Sequence, residues 1–275
     1  MRKILAVAGG AVVLGLLSMR PYNKRKKQLR SLFKQKYIAH RGLFKEPDVP
    51  ENSLAAFEEA VRQGYPIELD VQLSRDGKLV VFHDDTLKRM CHVQGRVRDK
   101  SLRELKSLRL AGTNEKIPEF KEVLEIVNGQ VPLMVEVKPE GHFIQTVEKT
   151  MKQLGKYHGR YCIESFQPLV LLWLKRHHPE VLRGQLSTDY RKDGDRHNRI
   201  IQFVLSNMMC NFFTRPDFIS YNHLYSDRPA FRICTKLYKS ANAAWTIKSE
   251  KQLKDAENDF EFFIFDGFTP AYCMV

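Results

Sequence analysis

From residue 37 onward, short runs rich in Val, Ile, Leu and Phe alternate with longer stretches whose apolar residues recur at helical spacing. The short runs, at 37–40, 67–71, 133–137, 161–166, 182–186, 218–221, 244–247 and 262–266, read as strands. The stretches between them, at 53–62, 118–128, 143–154, 168–176, 229–238 and 249–257, read as helices. Pro118, Pro168 and Pro229 suit first-turn positions, where the amide that proline lacks would have no partner anyway. Asn52 or Ser53 can cap the first of these helices and Ser249 the last. Eight strands with interleaved helices predict an α/β fold, a (β/α)8 TIM barrel over residues 37–275, with functional residues at the C-terminal ends of the strands.

Two segments depart from the repeat. Asp76-Gly77 separates residues 67–71 from an additional run at 79–83, which reads as an extra antiparallel hairpin strand. A two-residue turn there would place Asp70 opposite His83, and strand alternation adds Glu68 to the same face. Residues 189–216 form an insertion between the sixth and seventh strands, the hairpin strand included, with an apolar helical stretch at 200–213. That stretch is too short and too polar to span a bilayer, leaving a core helix or a lipid-contacting helix as its two readings. Only nine residues follow Asp266, too few for a closing helix, so residues 24–36 are expected to cover the barrel instead.

Ahead of the barrel, residues 4–19 are an uninterrupted run of sixteen apolar or small residues, a short hydrophobic N-terminal helix reaching about 24 Å. The run is flanked by Arg2 and Lys3 on one side and by Arg20, Lys24, Arg25, Lys26, Lys27 and Arg30 on the other. The heavier basic cluster after the run argues for a membrane anchor over residues 1–23 with the barrel in the cytoplasm, and against a cleaved signal peptide. Residues 24–36 form a basic juxtamembrane segment, either a helix along the membrane surface or a solvated linker.

Charge changes the picture less than its total suggests. Residues 1–36 hold ten Lys and Arg and no Asp or Glu, so nearly all of the net +13 sits ahead of the barrel. The remainder is close to balanced, which argues against nucleic acid as a partner. The five cysteines are odd in number and never paired as C-x-x-C, which disfavours both a disulfide framework and a zinc site. His177-His178 falls at a predicted helix end and reads as a favourable charge at a C-terminus. Nothing in the pattern fixes an oligomeric state.

Chemistry-bearing residues gather at the predicted strand ends. Two imidazoles, His40 and His83, beside Glu68, Asp70 and Glu136 describe acid/base chemistry around a hard cation. The oxygen-only donor set points to Ca2+ or Mg2+. Arg41 and Lys138 are candidates for anion binding, Arg41 through its fork of donors and Lys138 as a point charge. Phe166 and Trp245 are candidate pocket walls, and Glu51 and Asp84 read as supporting residues.

The chain resembles the glycerophosphodiester phosphodiesterase family, in its bacterial, N-terminally membrane-anchored form. The resemblance runs through His40-Arg41-Gly42, Pro50-Glu51-Asn52-Ser53, Glu68-Leu69-Asp70-Val71, Ser74-Arg75-Asp76-Gly77, Phe82-His83-Asp84, Glu136-Val137-Lys138, Ser165-Phe166 and Ala244-Trp245-Thr246, in order. It implies a metal-dependent hydrolase that cleaves glycerophosphodiesters to glycerol 3-phosphate and an alcohol. His40 and His83 would then be the acid/base pair, in an order the sequence leaves open, and Glu68, Asp70 and Glu136 the metal ligands. A lysophospholipase D-like enzyme acting on lysophospholipids at the membrane is the near alternative, and a catalytically silent, membrane-tethered barrel that binds headgroups or a partner is the alternative of another class.

Overall fold

A computed structural model of the chain describes residue 10 and residues 12–194 and 197–270. Its sheet is a closed barrel of eight parallel strands with one extra strand outside the repeat. The strands are β1 (Tyr37–Ala39), β2 (Ile67–Leu73), β3 (Leu79–Val81), β4 (Leu133–Val137), β5 (Tyr161–Ser165), β6 (Arg183–Ser187), β7 (Phe218–Asn222), β8 (Ala241–Ile247) and β9 (Phe262–Phe265). Closure comes from β1, which pairs in parallel with both β9 and β2. The predicted barrel is therefore the observed one. The strand β8 starts earlier than its predicted run because Ala241-Asn242-Ala243 joins the ladder to β7 without an apolar signature.

Alternation along the strands makes two layers. Ile67, Leu69, Val71, Leu133, Val135 and Ile163 face outward into a core shared with the helices. Ile38, Met134, Cys162, Phe218 and Ile264 belong to a separate interior cluster. The helices Leu54–Arg62 and Glu250–Ala256 are capped by Ser53 and Ser249, whose side chains accept from Ala56 N and Gln252 N. Pro168 and Pro229 sit in the first turns of their helices. Pro118 does not: the helix Phe120–Val127 starts two residues later with Glu119 at its cap. The Pro118 carbonyl accepts from Val81 N at 2.9 Å, and this bridge to β3 holds Pro118 outside the helix.

The hairpin register also differs from the expected one. Val71 pairs with Val81 and Leu73 with Leu79, one residue out of step with the pairing of Asp70 and His83. The turn has three residues, Arg75-Asp76-Gly77, closed by Ser74 N to Lys78 O at 2.9 Å. Gly77 takes the left-handed conformation at φ 68°, the arrangement of a three-residue hairpin loop. Asp70 consequently meets Phe82 across the ladder, Phe82 N donating to Asp70 O. His83 lies beyond the end of β3, so the extra strand is shorter than residues 79–83.

Residues 84–117, where the sequence shows no clear periodicity, wrap three short helical turns over a satellite core that includes Phe82, Leu87, Met90, Val97 and Leu110. The N-terminal end of the barrel is covered, as expected, by the segment ahead of it: the helix Lys26–Leu32 and the following Phe33 bury Leu29, Leu32 and Phe33 in the interior cluster. The helix Arg199–Ser206 of the insertion is not a core helix, for Ser206 is its only buried residue and Ile200 and Phe203 are 76% and 60% exposed. Of the expected N-terminal helix, residues 4–9 and 11 lie outside the described residues, and residues 12–18 are helical. Among the described residues no helix is long and apolar enough to cross a membrane.

Candidate active site

The inward positions at the C-terminal ends of β2, β4 and β5 are acidic. Glu68 and Asp70 point the same way on β2, and the parallel register sets Asp70 beside Glu136 on β4 and Glu136 beside Glu164 on β5. One oxygen from each of Glu68, Asp70 and Glu136 can be chosen so that all three lie within 4.8 Å of one another, and all three residues are buried. Asp70 Oδ1 has no hydrogen-bond partner, while Oδ2 accepts from Asn52 Nδ2 at 2.9 Å. Lys138 Nζ is 3.6 Å from that Oδ1, but no hydrogen bond occupies it, and three buried carboxylates this close are the all-oxygen donors that suit a cation of the Ca2+ or Mg2+ kind.

The electrostatics of the cluster follow from crowding. Burial, then the charges of Asp70 and Glu136, push the Glu68 carboxyl well above the usual range. Burial likewise raises Glu136. Burial works the same way on Asp70, yet His83, Lys138, Arg41 and the Asn52 hydrogen bond together hold it well below its ordinary value. Lys138 lies 3.5 Å from Glu136 and 3.6 Å from Asp70, and these carboxylates outweigh burial and raise the ammonium.

Two imidazoles border this cluster, each held by a carboxylate through Nδ1. His40 Nδ1 lies 2.7 Å from Asp266 Oδ2 and His83 Nδ1 lies 2.7 Å from Asp84 Oδ1. An ionised carboxylate only accepts, so Nδ1 keeps its proton and Nε2 is the nitrogen free to take or give one. His40 Nε2 is 4.0 Å from Glu68 Oε2. Burial and then the neighbouring Arg41 lower the His40 pKa, against the opposing pull of Asp266. A chain of charge pairs fixes the surroundings: Asp84 accepts from Arg89, Arg89 donates to Glu51, and Glu51 accepts from Arg41 at 2.7 Å.

The turn that presents His40 and Arg41 is specified by glycine. Arg41 and Gly42 both have positive φ, 56° and 84°, and a Cβ on Gly42 would stand 2.9 Å from the Ala56 backbone. Arg41 donates its backbone N–H to Glu68 Oε2 at 3.1 Å, while its buried Nε has no hydrogen-bond partner.

His40, Arg41, Glu68, His83, Glu136, Glu164, Phe166 and Trp245 line one small cavity of about 80 Å³. A larger cavity of about 910 Å³ shares Glu136, Phe166 and Trp245 and also takes in Lys138. The Phe166 and Trp245 rings meet edge to face at 5.5 Å. All nine residues singled out from the sequence thus converge on one end of the barrel.

Four neighbours were not singled out for the site. Asp266 was legible as the last residue of the run at 262–266, and Glu164 as the strand partner of Glu136. In the sequence Asn52 carries only a capping role and its place in the Pro50–Ser53 motif, and Arg89 lies in the 84–117 region, which has no clear periodic signal. Arg75 and Lys78 make no ion pair with Glu68 or Asp70; Arg75 instead meets Glu104 at 2.9 Å.

A (β/α)8 barrel with an oxygen-donor cluster and two carboxylate-held imidazoles at its C-terminal end has the parts of a cation-assisted acid/base catalyst. Residues 40–259 match the model of the glycerophosphoryl diester phosphodiesterase family, and the chain belongs to that family. A glycerophosphodiester phosphodiesterase from Caldanaerobacter subterraneus is 37% identical over 163 residues, 54% of this chain and 65% of the relative. A lysophospholipase D from Rattus norvegicus is 32% identical over 172 residues, 56% of this chain and 53% of the relative. The matched stretches thus span less than two thirds of these relatives' own lengths. The structure of an Oleispira antarctica phosphodiesterase in complex with the product sn-glycerol-3-phosphate superposes with a TM-score of 0.67 at 27% identity, covering 84% of this chain and 93% of that one.

Proposed function

We propose that the protein hydrolyses glycerophosphodiesters to glycerol 3-phosphate and an alcohol, with a divalent cation held by Glu68, Asp70 and Glu136. The observation that carries this reading is the approach of those three carboxylates to within 4.8 Å beside two imidazoles whose Nε2 atoms are free to exchange protons. A phosphodiester is anionic and repels nucleophiles, so its cleavage needs charge neutralisation at the phosphoryl oxygens and proton transfer at the entering and leaving oxygens. A bound Ca2+ or Mg2+ would supply Lewis-acid neutralisation of the phosphoryl oxygens.

The chain's own residues supply the rest. Arg41, whose Nε makes no hydrogen bond and stands 3.6 Å from Asp70, and Lys138 hold phosphoryl oxygens. One of His40 and His83 takes the proton of the attacking oxygen at Nε2, and the other delivers a proton to the departing alkoxide. The attacking oxygen in our reading is the substrate's own glycerol hydroxyl: its P–O bond forms as the headgroup P–O bond breaks, and water then opens the cyclic phosphate. Rapid-quench phosphorus NMR that never detects the cyclic species would count against this order of events. Phe166 and Trp245 wall the substrate end of the cavity.

A second reading, cleavage of lysophospholipids, is favoured by one observation. The 910 Å³ cavity runs from Glu136 and Trp245 to Ile200, Ile201, Val204 and Leu205 of the exposed insertion helix, an apolar path suited to an acyl chain. Turnover of glycerophosphocholine, glycerophosphoethanolamine and lysophosphatidylcholine by the full chain tests both readings. Release of glycerol 3-phosphate from the first two alone supports the first, whereas release of the headgroup from the lysolipid, lowered by Val204→Asp, supports the second. No release from any of them would contradict both.

The apolar run at 4–19 and the basic residues behind it support tethering to a membrane with the barrel on the cytoplasmic side. Fractionation of the full chain beside one lacking residues 1–23 tests that placement: an equal share in the membrane fraction would remove it.

A further inference from the structure

A cavity of about 630 Å³ lies at the other end of the barrel from the imidazoles. It is bordered by Arg20, Lys24, Arg25, Lys175, Arg183 and Arg215, and no Asp or Glu lines it. Arg183 opens β6 and Arg215 precedes β7, so both stand at the N-terminal ends of strands whose C-terminal ends face the catalytic groups.

Glu180, which also feels Arg25, faces His178 at 3.1 Å, and the other local carboxylate, Asp217, does not balance this charge. It is taken by Arg25, whose Nε donates to Oδ1 at 2.8 Å, and by the Arg183 backbone N–H at 3.0 Å. Arg25 is further saturated by the carbonyls of Pro179, Glu180 and Val181. Arg183 is 4% exposed and donates Nε and Nη2 to the carbonyls of Thr214 and Arg215, but its buried Nη1 has no partner at all. A charged donor buried in this state is costly unless an acceptor reaches it.

The other cations face no carboxylate among the described residues, Arg215 instead standing over the Phe212 ring at 5.3 Å. Lys175 donates to the Phe213 carbonyl at 2.7 Å and meets no carboxylate, and burial followed by the nearby Arg215 and Arg183 lowers its pKa. Arg20 and Lys24 are exposed, and no ion pair with a carboxylate is formed by either among the described residues. Like charges converging on one space, with an unsatisfied guanidinium nitrogen among them, call for a multivalent oxyanion. Guanidinium forks and an ammonium are the donors that suit phosphate.

We propose that this cavity binds a phosphate-bearing anion, at a site separate from the catalytic end. Two sources share that chemistry, a soluble phosphate ester or polyphosphate and the phosphomonoester headgroup of an anionic lipid. The test uses the full chain in neutral detergent, beside a variant carrying Arg20→Gln, Lys24→Gln and Lys175→Gln and a charge-conserving control carrying Arg20→Lys, Lys24→Arg and Lys175→Arg. These side chains touch none of the catalytic groups, so unchanged phosphodiesterase turnover and near-UV circular dichroism certify that each variant is folded.

Calorimetric titration with pyrophosphate in EDTA should reveal a binding step in the wild type that the control keeps and that weakens at least tenfold in the glutamine variant. Co-sedimentation with phosphatidylcholine vesicles, with and without phosphatidic acid, distinguishes the source. A gain from phosphatidic acid that the glutamine variant loses assigns a lipid headgroup, and pyrophosphate binding without that gain assigns a soluble anion. A glutamine variant indistinguishable from the wild type in both arms would overturn the proposal.

Discussion

The two ends of this barrel are built from opposite materials. At the N-terminal end, Leu29, Leu32 and Phe33 enter the interior and pack with Ile38, Met134, Phe218 and Phe262, all buried. At the C-terminal end the same inward-facing rows become Glu68, Asp70, Glu136 and Glu164, also buried and mutually repelling. One end gains free energy from apolar burial; the other spends part of that gain holding like charges together out of water. Stability and chemistry therefore sit on different residues, and substitutions at the two ends should have separable effects.

The largest expected effect is on turnover. Replacing His40 by alanine removes one proton-transfer group and should lower kcat/KM for glycerophosphocholine by about 10²–10⁴-fold, with a melting temperature close to the wild type. A melting temperature that drops together with activity would erase the distinction between the ends. Leu29→Ala should do the reverse, costing about 2–5 kcal/mol in urea unfolding while each folded molecule keeps its activity.

A smaller effect sharpens the contrast from the acidic side. Glu68 binds its proton more tightly in the folded chain than in the unfolded one, because its carboxyl is raised by burial and by Asp70 and Glu136. Its contribution to stability is thus fully present below the unfolded carboxylate pKa and is lost as pH climbs through the folded value. Without added cation, Glu68→Gln should be more stable than the wild type by about 1 kcal/mol near neutral pH, and the gap should close as pH falls below the ordinary carboxylate range. Added Ca2+ or Mg2+ should raise the melting temperature of the wild type more than that of the variant. An apo wild type as stable as the variant at neutral pH would contradict the charge-crowding account.

The smallest effect concerns one proton. The His40 imidazole, followed by NMR, should titrate below the ordinary histidine value because burial and Arg41 disfavour its charged form. Asp266→Asn removes a group that favours that form and should move the midpoint lower still. An upward shift would mean that Asp266 does not face the ring as described.

The sequence made the barrel legible because its strands are buried on both faces and read as apolar runs, and it made the site legible because inward positions beyond the core carry charge. The hairpin register was not legible, since Asp76-Gly77 serves a two-residue turn and a three-residue loop equally well, with Gly77 left-handed in both; the pairing of Leu73 with Leu79, and an Asp76 outside the positive-φ region that a two-residue turn needs, separate them. The part played by Arg89 escaped for a different reason. It reaches Glu51 and Asp84 from a region whose short helical turns are positioned by the satellite core and not by any period of their own. The exposed face of the insertion helix was left open between two readings, because an apolar stripe at helical spacing looks the same whether protein or a ligand's tail covers it.

The measurement that bears most directly on the acidic end is release of glycerol 3-phosphate from glycerophosphocholine by the full chain. It should be followed as prepared, after EDTA, and after Ca2+ or Mg2+ is added back, in parallel with Glu136→Gln. The account predicts activity that EDTA abolishes and one of the two cations restores, with little restoration in the variant. Turnover that survives EDTA, or that Glu136→Gln retains in full, would contradict it.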